Sequence, residues 1–402
     1  MQLAIFNQPE NDKILTDLFQ AYFNARKNKR NTRNALAFEK NYEENIFKLH
    51  EDIISGIYTP SRNICFIVNH PVKREIFAAN FRDRVVHHFI YNYISPIFEG
   101  TFINDSYSCR VGKGIHYGIN RLDKFIRSCS QNYSEDTYIL KLDIQGYFMA
   151  INRDKLFQKV TSTLRVKTNH TSIYFPLIIN LIKKTIYTDP IKNCIMKSPK
   201  SAWDGLPQDK SLFTAKPNCG LPIGNLTSQI FANIYLNELD HFIKRELKIK
   251  YYGRYVDDFI MVHKDKVYLR SIVRTLRKYL INELNLKLHE KKIYFQHYSK
   301  GVKYLGAVIK PHRVYVADRT KGKFFDAIKK QNEIVKYHKP DAEQIANFIS
   351  SMNSYLGIMK HFKTYKMRKR MLFKHLSGWW WNRVYLSGGI KKFVAINNLG
   401  TG

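Results

Sequence analysis

The chain has 402 residues, enough for two or three domains, and its 44% apolar content is that of a folded protein rather than a disordered one. Lys and Arg number 66 against 33 Asp and Glu, a net charge of +33; solubility needs far less, so a polyanion such as RNA or DNA is the expected partner. No apolar run is long enough to span a membrane, the start MQLAIFNQPEND has no signal-peptide pattern, and the cysteines at 65, 109, 129, 194 and 219 form no CxxC or zinc-spaced cluster, which fits a reducing cytoplasm.

Residues 14–56 read as helices, with Asn11 and Asp12 as caps, the basic turn ARKNKRNTRN between them and Gly56 as the stop. Residues 62–81 alternate apolar and polar around a turn at 69–71, a hairpin. Residues 82–98 return to helical spacing. YILKLDI at 138–144 alternates as a half-buried strand does. Residues 154–187 read as helices. From 189 to 220, Pro190, Pro199, Pro207 and Pro217 with Gly205 and Gly220 make a long irregular segment, and such loops in compact domains are usually functional or mobile. Leu226, Ile230, Ile234, Leu239, Ile243 and Leu247 give 225–247 one helical stripe. GRYVDDFIMVH at 253–263 reads as a tight hairpin with apolar arms. Residues 267–284 are helical, 285–316 hold short strands, and 319–385 are helical and strongly basic. This order is an α+β pattern followed by a basic helical domain.

Three carboxylates stand out. Asp143 ends a strand, and Asp257 and Asp258 lie side by side at a hairpin tip, flanked by Tyr255, Val256, Phe259 and Ile260. Adjacent like charges in apolar surroundings are unfavourable unless a cation joins them. An Asp-Asp pair alone is most often a solvated turn. Paired with a strand-end Asp it suits two-metal phosphoryl transfer, in which hard oxygen ligands hold Mg²⁺.

Tyr255-Val256-Asp257-Asp258 resembles the polymerase motif of reverse transcriptases. Leu142-Asp143-Ile144-Gln145-Gly146-Tyr147-Phe148 resembles their first metal-binding motif, and Gly220-Leu221-Pro222-Ile223-Gly224-Asn225-Leu226-Thr227-Ser228-Gln229 the nucleotide-pocket motif between them. Phe81-Arg82-Asp83-Arg84-Val85-Val86-His87-His88 and Tyr107-Ser108-Cys109-Arg110-Val111-Gly112-Lys113-Gly114 resemble fingers motifs of bacterial retroelement enzymes. Leu286-Lys287-Leu288 with Lys292 resembles the lysine motif, Gly301-Val302-Lys303-Tyr304-Leu305-Gly306 the primer grip, and Asn353-Ser354-Tyr355-Leu356-Gly357 lies where thumb helices belong. The resemblance covers about residues 15–375.

It implies a right-hand polymerase: an N-terminal extension and fingers over 1–137, a palm over 138–318 containing the loop 189–220, a helical thumb over 319–385 and a tail over 386–402. It implies an RNA-directed DNA polymerase with Asp143, Asp257 and Asp258 on two Mg²⁺ ions, Mn²⁺ being a substitute. Lys73 and Arg74 match the cations that hold the triphosphate, where neutralising a leaving pyrophosphate makes physical sense. Arg110, Gly224 and Gln229 fall in nucleotide-binding motifs, and Lys292 is the candidate proton donor to pyrophosphate. Phe148 lies where the family has a bulky sugar gate, which excludes a 2′-hydroxyl. Ile223 stands where retroviral enzymes have a Gln. It can only pack, and apolar packing discriminates less than hydrogen bonding. The Ile-Gly-x-x-x-Ser-Gln form resembles error-prone diversity-generating retroelement enzymes, and antiphage-defence reverse transcriptases share much of the pattern.

Lys303 and Tyr304 of the primer grip, and Lys360, Lys363, Lys366, Arg368, Lys369 and Arg370 of the thumb, are the expected contacts to nucleic acid. The expected partners are a template RNA, dedicated and non-coding, the cDNA product and dNTPs, with an accessory protein or second polymerase subunit left open and no membrane. The competing readings are a maturase-like RNA-binding protein with an unused site, an RNA-templated RNA polymerase and a template-independent polymerase. No RNase H, endonuclease or integrase segment is expected.

Overall fold

The computed structural model describes residues 8–27, 32–69, 72–168, 174–192 and 194–396. The chain is α+β and divides into two compact units, one of residues 1–114, 140–261 and 267–294, the other of residues 115–139, 262–266 and 295–402. These units interleave in sequence, so they cut across the linear boundaries expected at 137, 318 and 385.

In the first unit the expected N-terminal helices form as Gln8–Arg26, Arg33–Glu39 and Tyr42–Ile54. Part of the basic turn, at 28–31, lies outside the described residues. Helix Gln8–Arg26 buries Ile14, Leu18, Ala21, Tyr22 and Ala25, one helical stripe. It packs against helix Phe81–Glu99, whose start is capped by the Asn80 side chain accepting from Arg82 N–H. The fingers hairpin pairs Ile64–Val68 antiparallel with Arg74–Ala78, from Ile64↔Ala78 to Val68↔Arg74. Residues 70 and 71 of its expected turn lie outside the described residues.

Two expectations change here. The irregular segment 189–220 is organised. Ile195–Met196 adds a parallel strand to Ile64–Val68, and 3-10 turns follow at Lys200–Trp203, Gln208–Lys210 and Leu212–Thr214. The single helix expected over 225–247 is broken into Leu226–Tyr235, Asn237–His241 and a π turn at Phe242–Glu246. The first break is at Leu236, and the helix that follows carries a buried charge, Asp240, which apolar spacing cannot reveal. The strands Tyr251–Tyr255, Asp258–His263 and Tyr138–Asp143 lie side by side in that order.

The second unit contains helix Ile115–Cys129 and an antiparallel sheet of Val302–Tyr304, Ala307–Lys310 and Arg313–Val316. Helices Asp318–Tyr337, Ala342–Met359 and Tyr365–His375 follow, the second begun by a capping box of Asp341 and Gln344. Their core contains Phe324, Phe348, Met352, Leu356, Leu372 and Trp380. Phe348 stacks on Trp380 at 4.0 Å, a contact worth about 0.5–1.5 kcal/mol beyond its area. The expected tail from 386 is no tail over its described part. Val384–Ser387 pairs with Lys392–Ala395, and Val384, Ile390 and Phe393 complete the helical core. Among the described residues no helix is long and apolar enough to cross a membrane.

Candidate active site

Strand Tyr138–Asp143 buries Ile139, Leu140 and Leu142, which carries Asp143 to its end half-buried. The neighbouring hairpin buries Phe259, Ile260, Met261 and Val262 completely, so its tip is held by its arms. At that tip Val256 takes φ +56°, a left-handed conformation that costs a β-branched residue energy and persists only when its surroundings enforce it. Arg254 does the enforcing. Its guanidinium, fully buried, donates to Val256 O at 2.9 Å and grips Asp240 through Nε at 2.8 Å and Nη2 at 2.6 Å. Tyr252 Oη also donates to Asp240, at 2.6 Å. Burial works against the Arg254 charge, but Asp240 outweighs it and holds the pKa above the ordinary arginine value. Gly253 is needed beside it, because a Cβ there would lie 2.1 Å from Tyr107 Oη. Neither Arg254 nor Asp240 was among the residues expected from sequence. Their signal was a charge at an inward position of an otherwise apolar strand, and an acid three residues before the buried Ile243.

The three carboxylates repel one another. Asp257 is pushed up to about 6, by burial first and then by the charges of Asp143 and Asp258. Asp258 is likewise pushed up to about 6 by burial, against the pull of Lys141. Lys141 Nζ lies 3.0 Å from Asp258 Oδ2, and Lys292 Nζ donates to Asp143 Oδ1 at 2.8 Å. Among the described residues no three His, Cys, Asp or Glu side chains form a ready-made metal cage; here Asp143 and Asp258 are each turned to a lysine. Asp258 Oδ1 is buried and accepts no hydrogen bond. An orphaned carboxylate oxygen beside two further carboxylates is a donor set that fits a hard divalent cation.

The sequence-derived nucleotide residues occupy different settings. Lys73 Nζ donates to Asp204 O at 2.6 Å. Arg74 is exposed; burial raises the pKa of the Tyr255 hydroxyl beside the aspartates, and the Arg74 charge opposes that rise. Phe148 and Ile223 are half-buried and pack on one cluster of Cys65, Phe77, Met149 and Leu212. Gly224 and Gln229 are exposed before and on helix Leu226–Tyr235. Arg110 differs from expectation. It chelates Glu99 at 2.6–3.0 Å and donates to the carbonyls of Ile103 and Ser106, with a side chain 5% exposed. In the free protein its guanidinium is engaged by these three partners.

In the second unit Lys303 is exposed, whereas Tyr304 is 1% exposed and belongs to the core, because neighbouring strand residues face opposite sides. Lys360, Lys363, Lys366, Lys369 and Arg370 are exposed. Arg368 is buried and donates to Ile390 O, so it anchors the hairpin rather than facing solvent.

The chain matches the reverse transcriptase (RNA-dependent DNA polymerase) family over residues 72–309. It is 23% identical over 292 residues to Protein YkfC of Escherichia coli, covering 64% of this chain and 69% of that one. It is 25% identical over 187 residues to an uncharacterized 91 kDa protein in the cob intron of Schizosaccharomyces pombe, covering 46% of this chain and 19% of that one. Among solved structures, apo telomerase from Candida tropicalis, truncated from its C-terminal domain, superposes with a TM-score of 0.46 at 13% identity, over 68% of this chain and 60% of that one. Telomerase from Candida albicans with a fragment of telomeric RNA gives 0.43 at 12% identity, over 83% and 61%. The chain thus spans about 60% of the telomerase chains and 19% of the intron protein.

Proposed function

The chain belongs to the reverse transcriptase family, the RNA-dependent DNA polymerases, and from that premise we propose that it copies a dedicated RNA into DNA at Asp143, Asp257 and Asp258. One observation carries the reading. A buried Arg254–Asp240 pair holds the hairpin tip so that two carboxylates with raised pKa stand beside a third. Carboxylates crowded at that cost are most simply explained as ligands for cations. When bound, two divalent cations, Mg²⁺ or Mn²⁺, supply activation of an attacking hydroxyl and neutralisation of the leaving pyrophosphate.

The chain's own residues do the rest. Lys141 and Lys292 keep Asp258 and Asp143 charge-balanced in the free protein, and with Asp257 these carboxylates would hold the cations. Lys73 and Arg74 take the triphosphate, Lys73 exchanging the Asp204 carbonyl for phosphate oxygens. Lys292, already hydrogen-bonded to Asp143, donates a proton to the departing pyrophosphate. The Phe148 ring bars a 2′-hydroxyl, which makes the product DNA. Lys303 and the exposed lysines of 360–370 hold the template–primer backbone. Ile223 supports low fidelity, and the motif likeness supports a place in a bacterial retroelement or an antiphage defence system.

The test is dNTP incorporation on a primed RNA. Wild type should require a divalent cation, and Asp257→Asn with Asp258→Asn should abolish incorporation while RNA binding persists. Incorporation by the double variant at the wild-type rate would overturn the site, and incorporation without RNA would favour template-independent synthesis.

A further inference from the structure

Two turns of the segment 198–214 are tied to the fingers by one buried side chain. Glu75, on strand Arg74–Ala78, is 1% exposed. Its carboxylate accepts from Trp203 Nε1 at 2.6 Å, Ser211 Oγ at 2.7 Å and Leu212 N–H at 2.7 Å. Three donors from two separate turns therefore converge on one acceptor pair. A carboxylate is the only side-chain type that meets them without bringing a donor of its own.

The far side of the same segment touches the candidate site. A Cβ on Gly146, three residues after Asp143, would lie 2.5 Å from Asp209 O, so the segment's backbone rests directly on the loop that follows the first aspartate. Leu212 belongs to the cluster on which Phe148 and Ile223 pack, and Trp203 and Ala215 pack there too. Asp204 O receives Lys73. Sugar gate and base-pair residue thus lean on one segment, which in the free protein also receives Lys73, and Glu75 is bonded to two of its turns.

We propose that 198–214 is the back wall of the nucleotide pocket and that Glu75 is a positioning residue, acting through it on Phe148 and Ile223. This rests on the polymerase reading above. Glu75 touches no substrate. Its loss lets the wall retreat, and small displacements of positioning groups are costly in rate and binding.

The experiment compares Glu75→Ala, Glu75→Gln and Trp203→Phe with wild type by steady-state incorporation, correcting for the active fraction by burst titration. Glu75→Ala should raise KM for dNTP by about tenfold, with a smaller fall in kcat, and lower the preference for dNTP over rNTP. Glu75→Gln, which keeps one acceptor, and Trp203→Phe, which removes one donor and keeps a ring, should fall between. Trypsin reads the wall independently of chemistry, because Lys200 and Lys210 are exposed on it. Cleavage there should quicken in Glu75→Ala. Unchanged cleavage overturns the tie. Faster cleavage with wild-type KM and sugar preference overturns the positioning role and leaves Glu75 a structural residue. A wild type that incorporates no nucleotide overturns the polymerase reading, and this inference with it, even where the trypsin result holds.

Discussion

Replacing Asp257 by Asn should stabilise the metal-free protein at neutral pH while destroying its activity. The carboxyl sits at about 6 in the folded chain against an ordinary 3.8. Raised by burial and by neighbouring negative charge, it favours the protonated fold. The stability it permits is therefore fully present below the unfolded value and is lost as pH rises through about 6. The difference corresponds to about 3 kcal/mol above that pH. Asp257→Asn removes most of this penalty, and adding Asp258→Asn gives less than a second full share, because each carboxylate raises the other. Thermal melts across pH, with chelator and then with Mg²⁺, measure it. The variant should melt above wild type at about pH 8 in chelator and converge with it near pH 4. Mg²⁺ should raise wild type and leave the double variant unmoved. A variant less stable than wild type in chelator at the higher pH, or equal stabilisation of both by Mg²⁺, would refute the reasoning.

Asp240→Ala leaves the fully buried Arg254 without its partner and should cost about 3–5 kcal/mol, with activity lost even where the protein still folds; chemical denaturation checks it, and a loss under about 1 kcal/mol contradicts the clamp. Phe148→Ala should lower dNTP preference over rNTP in a folded enzyme, read by parallel incorporation assays. Neutralising Lys360, Lys363, Lys366, Lys369 and Arg370 should flatten the salt dependence of RNA binding by roughly one unit of slope for each phosphate left without its cation, whereas Arg368→Ala should lower thermal stability instead. Ile223→Gln should reduce misincorporation by roughly tenfold or more on a defined template, measured by deep sequencing of products.

Regular elements were legible where a single periodicity governs them. The alternation of YILKLDI and the apolar arms of GRYVDDFIMVH placed the strand and hairpin that carry the aspartates, since short apolar or alternating runs bounded by polar residues read as strands. What escaped were features set by contacts distant in sequence. The helix over 225–247 is interrupted at Leu236, and its second part carries Asp240, whose partner Arg254 lies on a later strand. The segment 189–220 looked irregular because its order comes from partners distant in sequence, a strand at Ile64–Val68 and the buried Glu75. The basic run at 360–370 is uniform by composition, yet Arg368 points inward to a carbonyl of the final hairpin while its neighbours face solvent. The pairing of Arg110 with Glu99, eleven residues earlier, likewise left no periodic signal.

The central claim is that these aspartates copy RNA into DNA. Its most direct test is to supply the purified protein with a primed RNA of defined sequence, all four dNTPs and Mg²⁺, and to sequence the product. The expected product is alkali-resistant DNA complementary to the RNA, absent without RNA, without Mg²⁺ and in Asp257→Asn. A product unrelated to the RNA, or one formed equally by Asp257→Asn, would contradict it.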